Sequence, residues 1–360
     1  MEAVQRIERY LQMVPKAELH VHLEGTIRPE TFLTLAQRNK VTLPVTTVEE
    51  AREWFTYRDF PHFVEIFFAI SSCLKTAEDY ALIAHEFGAE MARQHVRYAE
   101  ITFSASTHAY SLGVPHDTYF RGLQQGRKQA KADFGVEMRW VFDIVRDIRD
   151  QADRARRAEY TTAVALECMN EGVVALGLGG AEVNNPPELF ARWFEKALSE
   201  GLHSAPHAGE TAGPSSVWGA LRTLGAQRIG HGVRSIEDAE LVAYLRRQQV
   251  PLEVCPHSNI CLGVYASLTG HPLPRLYAAN VPLSVNSDDP PLFNTTLNHN
   301  VYALHDPFHF SLDTIDEILL NGVRHSFMSA KQKQNMEEEF RAEMKRLRRE
   351  LDLDNVPHGR

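Results

Sequence analysis

The stretch Lys16-Ala17-Glu18-Leu19-His20-Val21-His22-Leu23-Glu24-Gly25-Thr26 reads as a short apolar strand, residues 17–23, that runs into polar groups and a glycine. In an extended strand, side chains at i and i+2 leave on the same side. His20 and His22 can therefore face one cation from a single strand. Imidazole suits zinc, and a carboxylate brought in from elsewhere suits the remaining position of an open, catalytic site. Asp288-Asp289, close to the other end of the chain, offers that carboxylate. A site assembled this way requires a fold in which the first and last strands are neighbours.

Seven more segments read as buried strands: 96–104, 137–145, 173–180, 204–208, 228–232, 251–256 and 282–287. They are rich in β-branched, aromatic or leucine residues and end in Gly, Pro, Ser, Asp or His. Between them lie stretches of helical periodicity, such as 186–200 and 236–248. Strands alternating with helices in this number predict an α/β fold, a (β/α)8 TIM barrel, in which strand 1 lies beside strand 8. The connection from about 41 to 92 is too long for a loop and predicts a helical insertion after strand 1, over the active-site end. The charged segment 331–352 predicts an extra C-terminal helix closing the outer layer. The whole chain, 1–360, reads as one barrel domain.

With 38 basic and 47 acidic residues the formal charge is −9. That balance disfavours a nucleic-acid backbone or an anionic membrane surface as partner. Four scattered cysteines suggest no disulfide framework, and the N-terminal residues lack a signal-peptide apolar core. A cytoplasmic enzyme is the expectation; nothing in the sequence sets the oligomeric state.

The informative polar residues fall at the C-terminal ends of the predicted strands, where a barrel keeps its catalytic groups. Strand 1 ends in His20-Val21-His22-Leu23-Glu24, strand 5 in His207-Ala208-Gly209-Glu210, strand 6 in Arg228-Ile229-Gly230-His231, and strand 8 in Ser287-Asp288-Asp289. Taken singly, each has a plainer reading: a hydrogen-bonded core histidine, or an Asp capping a turn. Together they supply three imidazoles and a carboxylate and leave room for a water. His231 and Glu210 then remain for holding that water and donating a proton. Barrels with two metals usually bridge them with a modified Lys on strand 4. The segment VVALGLGGAE has none, which favours one metal.

The motifs KAELHVHLEGT, HAGE, RIGHG and SVNSDDP, in this order from residue 16 to 290, resemble the adenosine deaminase family of zinc (β/α)8 barrels. The resemblance implies hydrolytic deamination of a 6-aminopurine nucleoside to the 6-oxo product and ammonia, with one Zn2+ per subunit and a small-molecule purine nucleoside as partner. It implies His20, His22, His207 and Asp288 as zinc ligands and Glu210 as the proton donor to purine N1. It implies His231 as the group that orients and deprotonates the attacking water, Asp289 on N7, and the Gly180 backbone N–H on N3. Phe60 and Phe63, in the helical insertion, are implied as pocket walls.

Departures concern the substrate. Adenosine deaminases carry Asp at the position of Glu24, where the side chain contacts the ribose 5′-hydroxyl; a longer Glu suits a different 5′ group. Adenine deaminases share that Glu but read RIDHG at strand 6, and Gly230 here favours a nucleoside over the free base. Gly177 and Gly179 suggest a wider pocket mouth. Aminodeoxyfutalosine deaminase and adenine deaminase are therefore the alternative readings. The other zinc deaminase type, with P-C-x-x-C, is excluded because Cys255-Pro256 runs in reverse order.

Overall fold

Eight parallel strands follow one another in sequence order around a barrel. The computed structural model describes residues 3–56 and 60–353, with the backbone alone for residues 60 and 61. Its strands are β1 Lys16–His22, β2 Val96–Phe103, β3 Glu137–Val145, β4 Val173–Gly179, β5 His203–Ala208, β6 Ile229–His231, β7 Leu252–Val254 and β8 Leu283–Val285. All eight match segments expected from the sequence. The last three are shorter than expected; β6 ends at His231, which leaves the extended region with φ 58°.

The barrel closes at Asp288, beyond the regular part of β8. Asp288 pairs with Val21 in a parallel bridge. The His22 N–H donates to the Asp288 carbonyl at 2.9 Å, and the Asp288 N–H donates to the His20 carbonyl at 3.1 Å. The demand read from the sequence, that both chain ends meet, is met by two main-chain hydrogen bonds flanking the histidine pair.

Between β1 and β2 come α2 Pro29–Asn39, α3 Val48–Phe55, α4 Phe60–Ser72 and α5 Ala77–Arg93, following α1 at Ala3–Met13. The expected insertion at 41–92 reaches too far. Helix α5 leads directly into β2 and packs tightly on α6 His116–Phe134, as an outer-layer helix does. The two axes come close because Gly122 and Gly126 face them: a Cβ at Gly122 would sit 2.3 Å from the Ala77 carbonyl oxygen, and one at Gly126 2.4 Å from that of Ala81. The capping box of α5, Thr76 with Asp79, starts the helix at a defined residue.

The outer layer continues with α7 Gln151–Glu167, α8 Ala191–Ser199, α9 Pro214–Thr223, α10 Ala239–Gln248, α11 Pro256–Cys261 and α12 Leu273–Ala278. After β8 follow α13 Leu297–His305, α14 Leu312–Arg324 and α15 Ala330–Glu350, the last matching the charged helix expected at 331–352. Helix α14 packs on both β1 and β8 and covers the closing seam. The turn between α14 and α15 sends Phe327 into the lower barrel, against the buried side chains of Val141, Ala175 and Ala205. Its ring stacks on His203 at 4.1 Å. No described helix is long and apolar enough to cross a membrane.

Gly126→Val should force α5 and α6 apart. Overpacking of this kind costs about 1–3 kcal/mol, so urea unfolding should show a lower midpoint. An unchanged midpoint would mean that the close approach contributes nothing to stability.

Candidate active site

The strand ends bring His22, His207, Glu210, His231, Asp288, Asp289 and Gly180 onto the wall of one cavity of about 300 Å³. His20 lies against them, its ring centroid 4.4 Å from that of His207 and 4.7 Å from that of His231. A larger cleft of about 830 Å³, around Arg28, Glu86 and Thr296, holds none of these groups.

The shortest contacts outline a small polyhedron. His22 Nε2 lies 3.2 Å from His207 Nε2. Asp288 Oδ1 lies 3.4 Å from both His20 Nε2 and His22 Nε2. A tetrahedral ion with bonds of about 2.0–2.1 Å has edges of about 3.3 Å, so the spacing fits a zinc-sized ion. Two imidazole nitrogens at this distance can share one ion, or one proton as an N–H···N hydrogen bond. The donor chemistry also fits. His20 Nδ1 is bonded to Glu253 Oε2 at 2.9 Å. That bond turns the Nε2 lone pair inward, and His20 Nε2 is buried with no hydrogen-bond partner. Ligating atoms of His20, His207, His231 and Asp288 lie within 4.8 Å of one another, as do those of His22, Asp288 and Asp289. His231 differs from His22 in facing the second Asp288 oxygen, with Nε2 3.8 Å from Oδ2 and 3.6 Å from Glu210 Oε1.

The carboxylate behind His20 is itself held. Glu253 accepts from Arg228 Nε at 2.5 Å, and Arg228 donates to Glu100 Oε2 at 2.6 Å. All three side chains are buried. Gly230 lies beneath His20, where a Cβ would sit 2.8 Å from His20 Cε1. The glycine at this position therefore leaves room for the His20 ring. Gly25 serves in the same way under Asp289, whose Oδ1 would lie 1.8 Å from an added Cβ.

A hydrogen-bond relay determines which nitrogen of His231 carries the proton. The Leu273 N–H donates to His271 Nδ1 at 3.1 Å. A backbone N–H can only donate, so the His271 proton sits on Nε2, which donates to Asn259 Oδ1 at 3.1 Å. The Asn259 amide then turns its NH2 to His231 Nδ1 at 3.2 Å. Burial keeps both rings neutral, lowering each to about 3. His231 is left with its proton on Nε2, facing the cavity.

Two carboxyl groups are pushed the other way. Burial first, then Asp288 and Glu182, raise Glu210 to about 8. Burial and the neighbouring Asp288 raise Asp289 well above its usual range. Glu210 Oε1 and Asp289 Oδ1 are buried without a hydrogen-bond partner. Both acids thus favour a neutral form that can donate a proton or a hydrogen bond.

Over the mouth, α4 turns Phe63, Val64, Phe67 and Phe68 to the cavity. Phe63 stacks on Phe293 with centroids 5.6 Å apart. The side chain of Phe60, the other expected wall, lies outside the described residues. Glu24 is not brought to the cavity wall. It is fully buried, and its Oε1 accepts from the Ser104 N–H at 3.2 Å and bonds His108 Nε2 at 2.9 Å. Instead Asp143, bonded to Ser104 Oγ at 2.8 Å, lines the cavity. Burial raises its carboxyl to about 7. Gly179 makes room for it, since a Cβ there would lie 2.4 Å from Asp143 Oδ2. The small residues of β4 therefore admit a side chain and do not simply widen the mouth.

Sequence reasoning missed Asp143, Glu253, Asn259, His271 and His108. The first two did leave a signal: each is an acid inside an otherwise apolar strand, WVFDIV and LEV.

A closed parallel barrel with this His/Asp group at its C-terminal mouth has the architecture of the amidohydrolase superfamily. The chain belongs to the adenosine deaminase family: the model for Adenosine deaminase matches residues 15–343. It is therefore a hydrolytic aminohydrolase, and its relatives act on aminopurines. It is 38% identical over 338 residues to an aminodeoxyfutalosine deaminase of Streptomyces coelicolor, covering 93% of this chain and 85% of that one. It is 36% identical over 323 residues to an adenine deaminase of Cupriavidus taiwanensis, covering 90% of each. The crystal structure of an adenine deaminase from Arthrobacter aurescens superimposes with a TM-score of 0.84 at 33% identity, over 92% of this chain and 99% of that one.

Replacing the carboxylate behind His20 tests whether the donor group works as a unit. Glu253→Gln should weaken retention of a divalent ion by about 10–100-fold, measured by competition with a chelator. Retention equal to the parent protein would detach Glu253 from the donor set.

Proposed function

We propose that the protein removes the 6-amino group of a purine nucleoside by hydrolysis, with one zinc ion held by His20, His22, His207 and Asp288. The observation that carries this reading is the junction of a zinc-spaced donor set with Glu210, a buried acid favouring its protonated form 3.6 Å from His231 Nε2. When bound, the zinc lowers the pKa of a water at the site toward neutrality and makes it a nucleophile.

The chain's own residues supply the rest. Glu210 donates its proton to purine N1, which draws electrons from C6 and opens it to attack. Asp289, protonated, donates to N7, and the Gly180 N–H serves N3, so the ring is held by three edges. The relay through Asn259 and His271 gives His231 the role of a donor that orients the attacking water through Nε2–H. The expectation that His231 also deprotonates that water is set aside, because its only lone pair is engaged by Asn259. Asp288 Oδ2 takes the proton as the new C6–O bond forms. That proton then passes to the amino nitrogen, the C6–N bond breaks, and ammonia leaves. The hydroxyl proton on the new oxygen returns to Glu210, leaving the 6-oxo purine with its proton on N1.

A second reading concerns what the nucleoside carries. The cavity continues past the purine-facing groups to Ser111, Asp147, Ile148 and Arg157. That extension, with the 38% identity to an aminodeoxyfutalosine deaminase, supports a 5′-substituted nucleoside of that kind over free adenine. Asp143, which lines the cavity, is a further acid beside Glu24 for the sugar side. We also propose that α3 and α4 form the cover and that residues 1–360 work as one catalytic barrel.

Ammonia release should be measured across adenosine, adenine, 5′-modified adenosines and aminodeoxyfutalosine, with nucleosides expected to exceed the free base in kcat/KM. Turnover of adenine alone would overturn the nucleoside reading, and no turnover of any 6-aminopurine would overturn the reaction. Glu210→Gln should keep its zinc and lose about 10²–10⁴-fold in kcat. A near-normal rate would remove Glu210 from the mechanism.

Asn259→Asp places an acceptor between His231 and His271 and should draw the His231 proton to Nδ1. Nitrogen chemical shifts of the ring would report the change, and kcat should fall about 10–100-fold. A shifted tautomer with full activity would show that the Nε2 proton has no part in turnover.

A further inference from the structure

One buried carboxylate outside the reacting groups has an unusual set of partners. Glu182, in the connection after β4, is 5% exposed. Its Oε1 accepts from the Gly209 N–H at 2.5 Å. Its Oε2 accepts from the N–H groups of Glu210 at 3.1 Å, Thr211 at 2.9 Å and Ala212 at 2.8 Å. Consecutive backbone donors converge on one side chain only where the main chain curls around it, and Gly209, with φ 72°, supplies the curl. The far side of the same turn is tied by Arg234, which donates to the Thr211 carbonyl at 2.7 Å.

The Arg234 N–H also donates to the Gly209 carbonyl at 2.9 Å, but the N–H groups of residues 209–212 are gathered by Glu182. The Glu210 side chain must reach N1 of a substrate, and its Oε1 has no partner in the protein. Its direction is therefore set by its own backbone. Glu182 also stands two residues after Gly180, whose N–H is assigned to purine N3. A single short connection thus carries one purine contact and anchors the turn that carries the other.

We propose that Glu182 is a positioning residue for the deamination: its carboxylate gathers the backbone N–H groups of residues 209–212 and so aims Glu210 at the purine. The role rests on the assignment of Glu210 as proton donor. Glu182 itself touches neither substrate nor metal. Misplacement of a catalytic group by about 1 Å can cost on the order of 100-fold in rate, which sets the scale expected for its loss.

The test compares Glu182→Gln and Glu182→Ala in the full-length, zinc-loaded protein. Glu182→Ala should keep its zinc and lower kcat about 10–100-fold, with KM changed less than about threefold. Glu182→Gln, which keeps one acceptor oxygen, should fall between Ala and the parent. In a Glu210→Gln background, Glu182→Ala should cost little further, because the two act as one unit. An unchanged kcat, a loss that follows zinc content, or a full multiplicative loss on top of Glu210→Gln would each overturn the proposal. Hydrogen exchange of residues 209–212 provides a readout independent of turnover, and Glu182→Gln serves if Glu182→Ala does not fold. Slow exchange in the parent and faster exchange in Glu182→Gln are expected; equal exchange would overturn the anchoring. Absence of parent activity on 6-aminopurines would count against the reaction assigned above and leave the exchange result to decide the anchoring.

Discussion

The structure depends on the seam at Asp288. Its backbone closes the barrel by pairing with the residues on either side of Val21, and its side chain enters the His20–His22–His207 group. A parallel barrel needs its last strand to find its first across the longest sequence separation in the chain. Here the residue that makes this connection is also, among the described residues, the acid that lies 3.4 Å from both β1 histidines. Folding and assembly of the donor group are therefore one event. The positive φ of Asp288 is tolerable for the same reason: such backbone costs about 1–3 kcal/mol and persists only where the surroundings fix it. Here the surroundings are two main-chain bonds, Ser258 Oγ at 2.6 Å from Oδ2, and the facing imidazoles.

Below the histidines the barrel is charged where a barrel of this size is usually apolar. Glu253, Arg228 and Glu100 run from His20 toward the floor, and each charge has an opposite neighbour. A buried pair of this kind contributes little net stability against apolar residues of equal volume, yet removing one member costs about 3–5 kcal/mol. Its use lies in orientation. The network reaches the C-terminal helices, because Arg228 donates to the His325 carbonyl at 2.9 Å and Glu100 accepts from the Phe327 N–H at 2.5 Å. Phe327 also lies under the Arg228 guanidinium at 3.7 Å. The turn between α14 and α15 thus holds the far end of a chain of contacts whose near end sets the lone pair of His20.

Much of this was legible because barrel strands announce themselves twice, by an apolar run and by the polar residues that end it. His20, His22, His207, His231, Glu210 and Asp288 each terminate or follow such a run, and the structure brings all of them together. What stayed hidden acts through partners distant in sequence. Asn259 and His271 matter only because α11 and the start of α12 place them in line behind His231. Glu182 matters because a later turn folds around it. Gly230, Gly177 and Gly179 read as statements about substrate, and their small size also leaves room for His20 and Asp143. Helices do follow β1, but the last of them, α5, packs on α6 and belongs to the outer layer. Periodicity alone cannot tell a cover from a wall.

The reaction and the substrate are encoded at different depths. The groups assigned to chemistry sit on strand ends, where the ladder fixes backbone positions and leaves little freedom. The groups proposed to meet the rest of the substrate sit on α4 and on the loops after β3 and β4, where sequence can vary without disturbing closure. Glu24 looks like a substrate contact from its place in the first motif; its Oε1 is held by His108 and the Ser104 N–H, and its Oε2 is buried without a hydrogen-bond partner. The Asp143 carboxyl belongs to a different strand, β3, with Gly177 paired opposite it on β4. A relative could keep the whole donor group and still prefer a different purine compound by altering this pair. Proteins of 33–38% identity to this chain include both aminodeoxyfutalosine and adenine deaminases.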